Sequence, residues 1–146
     1  MKAKAVPEDV YRWTEGRALV ATGSPFNDVE FQGTCYPVGQ GNNAFIFPGL
    51  GLGVLTARAR RVTDGMLTAA SLALSEFVDK GRLAQGALYP RMDKIRVASK
   101  QVAVAVIQQA QKEGVATEKP PENLEAHLEA RMWRPEFLPI RKARGA

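Results

Sequence analysis

Two neighbouring amides, Asn42 and Asn43, stand between a glycine pair and an apolar run in Gly39-Gln40-Gly41-Asn42-Asn43-Ala44-Phe45-Ile46-Phe47-Pro48-Gly49-Leu50-Gly51-Leu52-Gly53. Each amide offers a donor and an acceptor without charge, so it can orient a carboxylate or a hydroxyl without burying an unpaired ion. Gly39 and Gly41 would let backbone approach such a ligand closely. Phe45, Ile46 and Phe47 can anchor the turn to a core, and Pro48 suits the start of a helix, with φ fixed and no N–H to leave unpaired. The residue types alone admit two readings, a ligand-facing turn and a tight turn between two buried elements.

A second stretch could line the same kind of site. Ala18-Leu19-Val20-Ala21 is short and continuously apolar and is cut off by Thr22-Gly23-Ser24-Pro25, the pattern of a strand buried on both faces in a parallel sheet. Ligands of such sheets lie beyond the carboxyl ends of the strands. Thr22, Gly23 and Ser24 are therefore candidates for lining a cleft; the plainer alternative is a strand exit stabilised by the serine hydroxyl.

Other chemistry is excluded by context. Gly39-Gln40-Gly41-Asn42-Asn43-Ala44 matches the dinucleotide fingerprint G-x-G-x-x-G/A, and Asp64 follows at the matching distance. That fingerprint needs a strand before it and a helix opening from it, whereas Phe45-Ile46-Phe47-Pro48 follows here and Asp64 belongs to a helix start. The one histidine, His127, has no neighbours that suggest a triad or a metal site. Carboxylates occur singly or on solvated helix faces, so no acidic metal-binding cluster can be drawn. The chain holds no complete catalytic set.

The elements that must position these residues are mostly helical. Pro7-Glu8-Asp9 begins a helix whose apolar side is Val10, Trp13 and Tyr11, and Gly16 ends it. Asn27 to Val38 reads as a small hairpin or irregular excursion. After Pro48, Gly49 and Gly53 lie one turn apart and would let another backbone or a ligand come close if the segment is helical; otherwise the helix starts near Val54. Thr63-Asp64 caps a helix with Met66, Ala69, Ala70, Ala73, Leu74, Phe77 and Val78 at core spacing before Gly81. Gly81 to Arg91 reads as a loop. Asp93 can cap a helix that carries Ile95, Ser99, Val102, Ala103, Val106 and Ala110 to Gly114, and Asn123 a short one through Leu124 and Leu128 to Met132. Trp133 to Pro139 reads as an extended aromatic arm.

Length and composition agree with one folded unit: 146 residues, 45% of them hydrophobic and 24% charged, enough to bury a core. The net charge of +5 is concentrated near the C-terminus, in Arg131, Arg134, Arg141, Lys142 and Arg144 against Glu136 alone. A basic tail without a basic, aromatic-studded face argues against nucleic-acid binding. No apolar run is long enough for a membrane span, and Met1 to Pro7 lacks a signal-peptide core. A single cysteine, Cys35, expected to be small and partly buried, fits a reducing, cytoplasmic setting.

Tyr11-Arg12-Trp13-Thr14-Glu15-Gly16-Arg17-Ala18-Leu19-Val20-Ala21-Thr22-Gly23-Ser24-Pro25-Phe26 and the Gly39–Gly53 stretch together closely resemble the malic enzyme family, as do Arg61-Val62-Thr63-Asp64-Gly65-Met66 and Met132-Trp133-Arg134-Pro135. Malolactic enzymes are similar over this region. The resemblance implies a predominantly helical α/β fragment: the end of a Rossmann-type NAD(P)-binding domain with one or two strands over residues 1–43, a helical segment over 44–116 that packs on a neighbouring domain, and a C-terminal helix with a basic tail over 117–146.

It further implies oxidative decarboxylation of malate to pyruvate and CO2 with NAD or NADP and Mg²⁺ or Mn²⁺. Asn42 would contact malate, Asn43 would sit near substrate and nicotinamide, and Thr22, Gly23 and Ser24 would lie at a strand end by the cofactor. Family members are several times longer, and their catalytic residues and metal ligands precede this part. The resemblance therefore implies a C-terminal portion that is inactive alone and self-associates. The competing class is a non-catalytic module that binds a nucleotide or a partner subunit.

Overall fold

The computed structural model of the chain describes residues 5–134, 136 and 137. The first helix, α1 (Pro7–Thr14), opens on proline with Glu8 and Asp9 at its positive end. Its buried anchor is Tyr11, which stacks on Tyr36 with ring centroids 4.5 Å apart. Burial pushes the Tyr11 phenol above its ordinary pKa, and Tyr36 and Asp28 push the same way. Trp13, expected on the apolar side, is exposed instead. At about 100° per residue it lies on nearly the opposite face from Tyr11, and the hairpin that supplies Tyr36 covers only one side.

Strand β1 (Ala21–Thr22) pairs in parallel with β4 (Gly39–Gln40), Ala21 opposite Gly39 and Thr22 opposite Gln40. Between them, β2 (Val29–Phe31) and β3 (Thr34–Tyr36) form an antiparallel hairpin around Gln32 and Gly33, both at positive φ, the signature of a type I′ turn. Tyr11, Val20, Val29 and Val38 form the small core of this part.

Two expectations need correction here. The strand is not buried on both faces: Val20 is buried, but Leu19 and Ala21 are exposed, because the sheet containing β1 has two strands and only its Val20 side meets α1 and the hairpin. Cys35 is exposed rather than partly buried, since strand alternation sends Tyr36 toward α1 and Cys35 away from it.

The remaining helices build the main core. They are α2 (Phe47–Ala57), α3 (Asp64–Glu76), α4 (Lys80–Ala84), α5 (Ile95–Lys112) and α6 (Leu124–Arg131). Helix α5 is the centre: Ala98, Ser99, Val102, Ala103, Val106, Ile107 and Ala110 are all buried against α2, α3 and α6.

Helix α2 is continuous from Phe47, which excludes a late start at Val54. A Cβ on Gly49 would lie 2.5 Å from the Ser99 carbonyl oxygen and 2.7 Å from Val102 Cβ, and one on Gly53 would lie 2.8 Å from Val106 Cβ and 2.9 Å from the Ala103 oxygen. The pair exists to let α5 touch α2, not a ligand. Past α2, Thr117 donates its N–H to the Ala57 carbonyl and its hydroxyl to the Arg58 carbonyl, while Arg60 N–H reaches the Val115 carbonyl. These bonds clasp the far end of α2 to the segment leaving α5.

Capping explains the helix boundaries. Thr63 and Asn123 accept the N–H groups of Met66 and Ala126 at 3.1 and 3.0 Å, as their positions imply. Asp93 does not cap α5; it lies inside a 3₁₀ turn, Met92–Lys94, that runs straight into the helix, and its partner is Arg91 at 3.5 Å. Helix α3 ends at Glu76 rather than Gly81, and the expected loop contains α4, whose cap is Asp79 accepting from Arg82 N–H at 3.0 Å.

At the C-terminal end, Leu128 seats α6 in the core. Arg96, Lys100 and Arg134 converge on Glu129 at 3.3 to 3.6 Å. Desolvation raises the Glu129 pKa, but the Lys100 hydrogen bond and the charges of Lys100, Arg96 and Arg134 together hold the carboxyl below its ordinary value. The expected aromatic arm reaches into residues outside those described; within the described part, Trp133 is exposed and its carbonyl accepts from Arg96 at 2.7 Å.

Candidate functional site

Parallel pairing brings the two predicted stretches together. As the strands end, Gly41 N–H donates to the Thr22 carbonyl at 2.8 Å, and the Gln40 amide donates to the Gly23 carbonyl at 3.3 Å. Thr22 turns its hydroxyl onto the Ser24 carbonyl at 2.7 Å. Both candidate segments thus leave the carboxyl edge of the same two-stranded sheet.

The amide pair then divides its labour. Asn42 is half-buried and caps a 3₁₀ turn, Asn43–Phe45, its Oδ1 accepting Ala44 N–H at 2.9 Å. That bond leaves the Asn42 NH₂ as a donor. Asn43 is exposed, and no side-chain bond is made by its amide among the described residues. Phe45, fully buried and stacked 6.2 Å from Tyr89, pins the turn; Phe47, expected to help, is exposed on the first turn of α2.

Asn42 and Asn43 border an open cleft of about 420 Å³. Gly41 and Ile46 share their side; Ser71, Leu74 and Ser75 of α3 and the Leu88-Tyr89 segment complete it. Ser71 and Ser75 donate to the helix carbonyls of Leu67 and Leu72 at 3.0 and 2.8 Å, so their oxygens keep acceptor capacity toward the cleft. The arrangement is neutral, with amide donors on one wall and hydroxyl acceptors on another. It can hold and orient a polar ligand.

Thr22, Gly23 and Ser24 do not border this cleft; of the three, Thr22 touches its edge, through its carbonyl bond to Gly41 N–H. Gly39 and Gly41 are also reassigned. A Cβ on Gly39 would meet Tyr89 N at 3.3 Å and one on Gly41 the Tyr89 ring at 3.2 Å, so both glycines make room for Tyr89, and Gly41 also borders the cleft. Sequence reasoning misses Ser71, Ser75 and Tyr89 as site residues. The signal available was the serine pair one helical turn apart on α3; for Tyr89 none was local.

Among the described residues no three His, Cys, Asp or Glu side chains gather in a way that could hold a metal ion. The residues present therefore do not fit the divalent cation that the resemblance implies. His127 lies on α6, its Nε2 3.1 Å from Arg131 Nη1. No described helix is long and apolar enough to cross a membrane.

Known proteins of one family are similar to this chain. Residues 1–111 match the family model described as malic enzyme, NAD binding domain. The chain is 46% identical over 139 residues to NAD-dependent malic enzyme 3 of Bacillus subtilis, covering 95% of this chain and 24% of that protein. It is 48% identical over 134 residues to the NAD-dependent malic enzyme of Edwardsiella ictaluri, covering 92% and 24%. The crystal structure of Entamoeba histolytica malic enzyme superimposes with a TM-score of 0.67 at 32% identity over 87% of this chain and 24% of that one. The chain spans about a quarter of the length of the curated relatives it matches. With the family model covering most of its residues, the chain belongs to the malic enzyme family, in the region of the NAD-binding domain.

Proposed function

We propose that this chain supplies one wall of the malate and nicotinamide site of an NAD-dependent, malate-decarboxylating oxidoreductase. The observation that carries the reading is the Gly41-to-Thr22 bond, which sets the amide pair at the carboxyl edge of a parallel sheet and over a neutral cleft. Asn42 NH₂ donates to a carboxylate of malate, and its own Oδ1 bond to Ala44 holds the amide in one orientation. Asn43 lies toward the nicotinamide. Because both amides stay neutral at every accessible pH, this wall binds without a titration of its own.

NAD, when bound, accepts the hydride that converts the malate hydroxyl to a ketone. The names of the relatives support NAD over NADP and malate decarboxylation over malolactic chemistry. No step is assigned to the divalent metal. The same reading divides the chain at residues 43/44 and 116/117; the first division is in keeping with a strand-bearing part and a helical part that each hold a buried cluster, whereas the helical cluster continues past the second to Leu128. It also carries a cytoplasmic location, consistent with one unpaired cysteine, and self-association through exposed apolar residues such as Leu19, Leu55 and Leu72.

The test is a titration of the ¹⁵N-labelled chain with malate and with NAD. Saturable movement of the Asn42 and Asn43 side-chain amide signals is expected, with millimolar affinity because other walls are not in this chain. Movement confined to residues remote from Asn42 and Asn43 would sink the site assignment. In the same samples, with Mg²⁺ added, no NADH is expected from the chain alone; NADH formation that depends on malate overturns that expectation. Light scattering that gives a clean monomer removes self-association.

A further inference from the structure

Tyr89 is held from three directions. Its backbone N lies 3.3 Å from the point where a Cβ on Gly39 of β4 would stand, and its ring stacks on buried Phe45. The Cε2, Cζ and Oη edge of the ring lies 3.2 to 3.4 Å from the corresponding point on Gly41. Phe45 closes the 3₁₀ turn that Asn42 caps, and Gly41 directly precedes Asn42. The ring and the amide turn therefore hold one another.

The hydroxyl at the end of this ring takes no part in that packing. It has no hydrogen-bond partner among the described residues, yet it is not one of the buried side-chain atoms that lack one. Tyr89 as a residue is half-buried, so its oxygen must reach solvent. Tyr89 and Gly41 both border the amide cleft, and the oxygen lies beside Gly41, on the rim that the two residues share.

A phenol O–H on a rigidly held ring is a preorganised donor, and toward a carboxylate it forms a short, charge-assisted bond. The Asn42 NH₂ is the other donor at this rim, left for a ligand because its Oδ1 is bonded to Ala44 N–H. Two neutral donors on one rim suit the two oxygens of a carboxylate.

We propose that Tyr89 is a further ligand-binding residue of the amide cleft, its hydroxyl donating to a carboxylate of malate beside the Asn42 NH₂. The inference rests on the malate reading for the identity of the ligand, and adds a donor that can be removed without moving the turn.

The experiment titrates malate into the full chain labelled with ¹⁵N and with ¹³C at tyrosine Cζ, the Tyr89 signal being assigned by its loss in Tyr89→Phe. The Tyr89 Cζ and Asn42 side-chain amide signals are expected to move saturably with one midpoint. Tyr89→Phe keeps the ring, so its thermal melt and its ligand-free Asn42 signal should match the parent, while malate affinity falls about tenfold. Tyr89→Leu, which removes the ring as well, should displace the Asn42 signal before malate is added. Movement of Asn42 with Tyr89 Cζ unmoved overturns the proposal and leaves the malate reading standing. A response at Tyr89 Cζ alone supports the hydroxyl and sinks the assignment of Asn42, whereas silence at both sinks both. Unchanged affinity in folded Tyr89→Phe also overturns the proposal. So does a ligand-free Asn42 signal displaced as far by Tyr89→Phe as by Tyr89→Leu, because the hydroxyl would then act on the turn and not on the ligand.

Discussion

Glycine-rich sequence occurs twice within Gly39–Gly53, and the two occurrences behave differently. At the α2–α5 crossing, Gly49 and Gly53 admit the backbone and valines of α5 into a dry, closed contact. At the strand ends, Gly39 and Gly41 admit Tyr89 and leave a cleft open beside it. Only Gly41 among the four borders the amide cleft, and it shares its open faces with the Tyr89 ring. Glycine reports how closely two pieces of protein approach, and the chemistry belongs to the amides between the two pairs. Asn42 and Asn43 repeat the contrast on a smaller scale, one bound into the turn and one free.

Phe45 joins the two regions and should show the largest effect. Phe45→Ala empties a fully buried site and is expected to cost about 3–5 kcal/mol in urea unfolding, while the Asn42 and Asn43 amide signals lose their distinct positions. A smaller loss with the amides unmoved would mean that the turn is held from elsewhere.

The closed contact comes next. Gly53→Ala puts a methyl against the Ala103 carbonyl and Val106, and overpacking of about 1–3 kcal/mol should outweigh the ~1 kcal/mol that alanine adds to a helix. Gly51 lies in the same helix, and a methyl added there would meet nothing within 4 Å. It should do the opposite: Gly51→Ala is expected to stabilise by about 0.5–1 kcal/mol. Equal signs for the two variants would break the distinction.

Asn42→Ala should cost about 1 kcal/mol of stability through the lost Ala44 bond and also weaken malate binding. Asn43→Ala should leave stability within about 0.5 kcal/mol and change only binding. If both variants are equally destabilised in thermal melts, the division between the amides is wrong.

The smallest effect is expected far from the cleft. The Glu129 pKa is lowered on folding, so its ion pairs stabilise fully above the unfolded carboxylate value of about 4.3 and fade as pH falls through the lower folded value. Glu129→Gln should therefore lower the melting temperature slightly at neutral pH, and the difference from the parent should vanish in acid. A difference that grows in acid would reverse the sign of this contribution.

Helices with a cap and a regular apolar spacing were legible from residues alone. Thr63 and Asn123 start α3 and α6 as expected, and the buried face of α5 includes the expected Ser99, Val102, Ala103, Val106 and Ala110. Helix α4 was not legible although Asp79 carries a cap signal, because glycine at its second position and a five-residue length hide any periodicity. Strand β4 is Gly39-Gln40, two residues without strand preference that pair only because β1 is there.

The amide pair stood out in local chemistry and borders the cleft; the strand exit singled out with it is brought next to it by parallel pairing but does not border the cleft. What could not be read was non-local. Ser71, Ser75 and Tyr89 reach the cleft only through the packing of α3 and of the segment before α5. The exposure of Leu19, Trp13 and Phe47 likewise depends on which side the neighbouring elements cover.

The clasp between Thr117 and the end of α2 acquires a further meaning once α2 is seen as a spacer. One end of the helix is tied at Ala57 and Arg58, the other begins at the amide turn, and the glycine seats on α5 prevent it from sliding or rolling. Its eleven residues thus meter both the distance and the bearing of Asn42 from that anchor. Adding or removing a single residue within α2 would swing the amide turn by about 100° and shift it by about 1.5 Å, so the helix should tolerate changes of side chain at Gly51 far better than any change of length.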